Sequence, residues 1–92
     1  MSIVVIATTP GMTADRYDES QRRMGLEGAL PAGCTQHIAG PSPEGWRVVA
    51  VWDSPEALQE FTNATLRPTL TGLGVTPPPA PPVVYPLHAQ VG

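Results

Sequence analysis

Residues 46–56 read Trp46-Arg47-Val48-Val49-Ala50-Val51-Trp52-Asp53-Ser54-Pro55-Glu56. Six of the first seven, all but Arg47, are β-branched, aromatic or small, and both alternating faces are mostly apolar. Trp46, Val48, Ala50 and Trp52 share one face, and Arg47, Val49 and Val51 share the other. Such a strand belongs in the middle of a sheet. The next four residues start a helix: Ser54 suits the N-cap, Pro55 the first helical position, and Glu56 the positive end of the helix dipole. Ala57, Leu58, Phe61, Ala64 and Thr65 continue at helical spacing.

Working upstream, Gly40-Pro41-Ser42-Pro43-Glu44-Gly45 reads as a hairpin loop, and Cys34 to Ala39 as the strand before it. If Gly40 pairs with Gly45, His37 lies opposite Val48 and shares a face with Trp52. Pro31-Ala32-Gly33 separates that strand from a helix capped by Thr13 and running to about Leu30. Ala14, Tyr17, Met24 and Leu26 form its apolar stripe, and Gly25 and Gly28 weaken its end. Ser2 to Thr8 is a β-branched run that reads as a strand buried on both faces. Downstream, Pro68 opens a second short helical piece with Leu70 and Leu73 inward and Gly72 or Gly74 at its end. Residues 76–82 form a stiff Pro-rich connector before a last strand, Val83 to His88. Pro86 confines that strand to an edge or a bulge. The order β-α-β-β-α-β is the split, ferredoxin-like arrangement, an α+β fold: a four-stranded antiparallel sheet with helices on one face. The sheet's other face, carrying Val49 and Val51, is left bare and apolar, and a symmetric homodimer is the simplest cover.

The chain has 92 residues, which suits one domain spanning 1–92 and no second one. Five Arg, no Lys and eight acidic residues give a net charge of −3. That balance lacks the basic face that nucleic acid or an anionic membrane needs. No apolar run reaches the ~20 residues of a membrane span. The N-terminus has no basic region before Ile3–Ile6 and does not read as a signal peptide, so a cytoplasmic location is expected. Cys34 stands alone, which excludes an intramolecular disulfide. Cys34 and His37 lie three apart, on opposite faces of an ideal strand, so no metal site is expected.

The stretch from Val48 to Phe61 resembles the third strand and second helix of the dimeric α+β barrel proteins, in their antibiotic-biosynthesis-monooxygenase-like branch. Gly45-Trp46-Arg47-Val48-Val49 and Leu66-Arg67-Pro68 are similar to small actinobacterial members. The resemblance implies a homodimer whose subunits each hold a pocket between sheet and helices. It also implies cofactor-independent chemistry on a planar hydrophobic metabolite of aromatic-polyketide type: proton transfer, cyclisation, isomerisation or monooxygenation. A ligand-binding or accessory dimer without chemistry is the alternative. Two departures stand out. Many such relatives carry a His nine residues after the strand-ending Trp, where this chain has Phe61. Haem-degrading relatives use an Asn on the first strand, and the only Asn here is Asn63. No cofactor is therefore expected, with haem held by His37 or His88 as a third reading.

His37 is the candidate acid–base group, since an imidazole titrates near neutrality. Trp52 matches the family's pocket Trp and would stack on a planar ligand. Tyr17 would orient a substrate oxygen, Phe61 would form an apolar wall, and Arg67 would bind a carboxylate or enolate. Each has a plainer role. Trp52, Tyr17 and Phe61 can be core, His37 a satisfied strand residue, and Arg67 the partner of Glu56 or Glu60. Tyr85 and His88 are weaker candidates that suit a subunit interface.

Overall fold

The computed structural model describes residues 1–76 and 80–91. Four antiparallel strands, β1 (Ile3–Thr9), β2 (Cys34–Ser42), β3 (Gly45–Trp52) and β4 (Val83–Pro86), form one sheet in the order β2-β3-β1-β4. Helices α1 (Ala14–Met24), α2 (Pro55–Phe61) and α3 (Arg67–Gly72) complete the α+β, ferredoxin-like fold expected from the residue pattern. β3 is central, and β4 is an edge strand, where the missing donor of Pro86 is tolerated. β4 stops at Pro86, two residues short of the expected His88. Of the 76–82 connector, residues 77–79 lie outside the described residues.

The core lies between sheet and helices. Ile3, Val5, Cys34, Ala50 and Trp52 are buried there, with Val48, Ala57, Leu58 and Phe61 packed against them. β1 is covered fully on this side only: Val4 and Ile6, on its other face, are half-buried. On that open face Ile38 and Val83 are each 57% exposed, and Tyr85 is 45% exposed. The tail after β4 turns back across the sheet. The Leu87 N–H donates to the Ser2 carbonyl at 3.0 Å, and Gln90 Nε2 donates to Gln36 Oε1 of the far edge strand at 2.9 Å.

The helix ends obey the local chemistry. Thr13 accepts from the Arg16 N–H at 3.2 Å, and Ser54 accepts from the Ala57 N–H at 3.1 Å, each capping its helix. α1 ends at Met24, earlier than the expected Leu30. Gly25 takes a left-handed φ of 71°, its N–H bonds the Arg22 carbonyl at 3.1 Å, and the Leu26 N–H bonds the Gln21 carbonyl at 2.9 Å. That closure turns the chain out of the helix. Pro68 does open a second piece, α3. It is joined to α2 by a π-helical turn, Thr62–Leu66, rather than by a break. The widened turn lets the Arg67 N–H reach the Thr62 carbonyl, so the chain meets the ring of Pro68 without losing helical direction.

The hairpin differs most from its sequence reading. β2 continues through Ser42, so the loop is only Pro43-Glu44, and Ser42 pairs with Gly45. His37 therefore faces Ala50 rather than Val48. The displacement is two residues, so His37 keeps the expected face. A bulge at Thr35 lies between the Cys34–Trp52 and Gln36–Val51 pairs. It moves the strand's parity by one, so Cys34 and His37 share the helix-facing side. The opposite-face argument against that pair does not hold. Among the described residues, still, no three His, Cys, Asp or Glu side chains gather as a metal site would require.

Gly33 enters β2 with φ 89°, and a Cβ there would lie 2.7 Å from the Ala57 Cβ. Gly33→Ala combines a left-handed backbone, costing roughly 1–2 kcal/mol, with that overlap. Urea unfolding is expected to show a loss of at least about 1 kcal/mol. An unchanged midpoint would contradict this packing of β2 against α2.

Candidate functional site

Tyr17 projects from the second turn of α1 toward the sheet, and His37 projects from β2 on the helix-facing side. The two meet: the Tyr17 hydroxyl and His37 Nε2 are 2.5 Å apart, within hydrogen-bond reach. The rings are stacked, with centroids 6.0 Å apart and planes at 24°. Trp46, at the start of β3, closes the other side of Tyr17 at a centroid distance of 5.2 Å. Its Nε1 is buried and has no hydrogen-bond partner among the described residues. Beneath, Ser20 is buried and donates to the Tyr17 carbonyl at 2.6 Å, which anchors the helical turn that carries the phenol.

The electrostatics follow from position. Burial pushes the His37 imidazole below its ordinary value of 6.5, because the cation loses solvation. Burial, then the nearby Asp18 carboxylate, pushes the Tyr17 phenol above its ordinary 10.0. Both groups are therefore neutral near pH 7. They form a hydrogen-bonded pair able to pass a proton, and both members are half-buried. Burial raises the Cys34 thiol, which donates to the Gln36 carbonyl at 3.3 Å and stays protonated.

One cleft borders Tyr17 of this pair, and a second lies further along, lined by neither Tyr17 nor His37. The first, about 400 Å³, runs along α1 and is polar: Tyr17, Asp18, Gln21, Arg22 and Glu27 line it with Leu26 and Gly28. The second, about 510 Å³, lies between the end of α1, the 31–33 turn and the α2–π segment. Met24, Leu26, Pro31, Phe61 and Ala64 make its wall largely apolar, with Glu60 and Thr65 as polar members. Both are open to solvent along one side rather than enclosed.

The sequence candidates thus separate into groups. Tyr17 and His37 come together. Phe61 lines the apolar cleft and packs 5.4 Å from Trp52. Trp52 itself is only 4% exposed and borders neither cleft, so its ring serves the core beneath α2. Arg67 is exposed at the start of α3. Among the described residues it pairs with neither Glu56 nor Glu60, since the ion pairs are Arg22–Glu19, Arg23–Glu19 and Arg47–Glu44. Tyr85 lies on the open face opposite Val4, and His88 lies in the exposed tail, both away from the Tyr17–His37 pair. Trp46 and Leu26 were not singled out as site residues. The signal for Trp46 was its parity with Ala50 and Trp52. Leu26 gave none, since its place depends on where α1 ends.

No family model and no curated protein matches the sequence. Solved structures do share the fold. A crystal structure described as a "putative antibiotic biosynthesis monooxygenase" from Chloroflexus aurantiacus superposes with a TM-score of 0.69 at 14% identity, over 100% of this chain and 98% of that one. A second protein so described, from Deinococcus radiodurans, gives a TM-score of 0.48 at 14% identity, over 100% and 97%. The first bears out the expected ferredoxin-like α+β fold along the whole chain. Among the described residues no helix is long and apolar enough to cross a membrane.

The pH dependence of stability follows from the two shifts. Unfolded His37 takes up a proton near 6.5, and the folded state resists it. The stability tied to neutral His37 is present above 6.5 and is lost as the pH falls from there through the lower folded value. Tyr17, raised in the fold, favours folding below 10.0 and loses that contribution as the pH rises above it. Scanning calorimetry should show Tm falling on both sides, with the acid-side fall reduced in His37→Phe. An identical acid limb in that variant would contradict a desolvated His37.

Proposed function

We propose that this chain is a small homodimeric enzyme that moves a proton on a planar, hydrophobic, hydroxyl-bearing metabolite, without a cofactor. The observation that carries the reading is the half-buried Tyr17–His37 hydrogen bond, with Tyr17 on the wall of the polar cleft. The Tyr17 hydroxyl donates to His37 Nε2 and leaves its own lone pairs for a substrate hydroxyl. The substrate O–H proton passes to Tyr17 Oη as the Tyr17 proton passes to Nε2. The electron pair of the broken O–H bond stays on the substrate oxygen. The products are a substrate oxyanion and a His37 imidazolium, each stabilising the other in a site that would desolvate either alone. The Trp46 indole N–H is buried and lines neither cleft, so that oxyanion takes its stabilisation from Tyr17 and the His37 imidazolium. From the oxyanion, charge delocalised to ring carbon supports cyclisation or isomerisation, or attack on dioxygen as the co-reactant of a monooxygenation. The apolar wall at Phe61 suits the ring system, and Arg67, exposed at the start of α3, is the cation of the α2–α3 arm for a second substrate anion.

The homodimer rests on the open face of the sheet. Val4, Ile6 and Val49 are half-buried there beside exposed Ile38, Val83 and Tyr85, an apolar surface of the kind that marks an interface. Tyr85 and, from the tail, His88 belong to that contact. The fold resemblance to the Chloroflexus aurantiacus protein is compatible with a monooxygenase and equally with its relatives' other chemistries. One observation favours the second reading, a ligand-binding dimer without chemistry: His37 and Tyr17 already satisfy one another, and His37 lines neither cleft.

Two measurements test these readings. Turnover of planar phenols and naphthols, followed by solvent-deuterium exchange at ring carbon, is expected to fall by about 10²–10⁴ in His37→Ala. Retained exchange in a folded variant would overturn the acid–base role. Unchanged ligand affinity with no exchange in either protein would select the binding dimer. Val49→Glu places a charge at the centre of the open face and is expected to convert a dimer to a monomer by sedimentation equilibrium. An unaltered oligomeric state would contradict the interface.

A further inference from the structure

One side chain borders both clefts. Leu26 lines the polar cleft that holds Tyr17 and also the apolar cleft that holds Phe61. The backbone that carries it is fixed by the closure of α1. Gly25 is left-handed, and the Leu26 N–H is held by the Gln21 carbonyl at 2.9 Å, so the residue stands at a set point just past the helix. Leu26 is half-buried, in keeping with a partition that has space on either side.

We infer that the two clefts are halves of one elongated site for an amphipathic ligand, and that Leu26 is the wall between them that sets the length of ligand accepted. The inference rests on the proposed function and names its substrate class. The hydroxyl-bearing end lies in the polar half against Tyr17, and the fused or linked rings extend toward Met24 and Phe61. The halves differ in the way such a molecule requires. Tyr17, Asp18 and Gln21 offer hydrogen bonds on one side, and the other side is mostly hydrocarbon. Asp18 and Glu27 make the polar half acidic, and the Arg22 guanidinium beside them is engaged by Glu19. This half therefore favours a neutral hydroxyl over a carboxylate at the ligand's end. With Leu26 in place each half accepts a one- or two-ring body. With the isobutyl group removed, a longer body spans both.

The test compares two probes, 2-naphthol and the longer 4-hydroxy-p-terphenyl, by isothermal titration calorimetry. Binding at the Tyr17 end is read from the His37 Hε1 proton resonance. In the unaltered protein 2-naphthol is expected to bind and to shift that resonance, and the terphenyl to bind more weakly. In Leu26→Ala the terphenyl is expected to gain about tenfold or more, in keeping with one further ring leaving water. The 2-naphthol affinity should not rise, because that ligand loses its contact with the Leu26 isobutyl group and gains no new buried ring, so the two probes diverge. Leu26→Val, with a smaller truncation, should move the terphenyl in the same direction and keeps the test valid if the Ala variant is unfolded by circular dichroism. If both phenols bind and shift His37 but keep their order in the folded Leu26 variants, the partition is overturned and the proposed function stands. If neither phenol shifts the His37 resonance in any of the proteins, the proposed function fails and the inference fails with it.

Discussion

The register of the β2–β3 hairpin is the constraint on which the candidate site depends. Alternate strand residues face opposite sides, so a slip of one residue would send His37 to the open face and leave Tyr17 without its partner. Two features hold the register. At one end Pro43-Glu44 closes a short loop between Ser42 and Gly45, where the Ser42 hydroxyl donates to the Gly45 carbonyl at 2.6 Å. At the other, the Asp53 N–H donates to the Gly33 carbonyl at 2.7 Å, just before the bulge at Thr35. The bulge allows Cys34 to sit in the core against Trp52 while His37, three residues on, faces the same side beneath α1. Bulges often re-aim a side chain in this way.

The rest of the site comes from where helices stop. Gly25 ends α1 six residues before the expected Leu30, and the chain from Leu26 to Ala32 does not continue it. The clefts lie along that segment. On the far wall, the π turn before Pro68 places Ala64 and Thr65 against the apolar cleft. A proline, a glycine and one extra strand residue thus convert a two-layer scaffold with a thin core into one that has surface concavities and a half-buried Tyr17–His37 pair.

The sequence is legible where local chemistry and global fold agree. The Ser54-Pro55-Glu56 start, the central apolar strand at Val48–Trp52 and the edge-strand meaning of Pro86 each depend on one element, and each survives in the structure. That Tyr17 and His37 point into the space between helix and sheet is readable from the α1 stripe and the strand parity. Their direct contact is not, because it depends on the angle of α1 above the sheet and on a bulge that leaves no composition signal at Thr35. Trp52 misled in the opposite way: strand parity puts it on the correct face, but Ala57, Phe61 and the close approach of Gly33 bury it. Leu26 was read as part of a helix that in fact closes at Gly25, and its role at the clefts disappears with that reading. Arg67 has the charge for a carboxylate or an ion pair, and the exposed start of α3 gives it neither within this chain.

The central claim is that His37 Nε2 is a neutral acceptor for the Tyr17 hydroxyl. The most direct measurement is a long-range proton–nitrogen correlation spectrum of the His37 ring at neutral pH, in the unaltered protein and in Tyr17→Phe. The account predicts a neutral ring protonated at Nδ1, with Nε2 showing the shift of a hydrogen-bonded acceptor that is lost when the Tyr17 hydroxyl is removed. A ring protonated at Nε2, or an Nε2 signal indifferent to the Tyr17 hydroxyl, would contradict it.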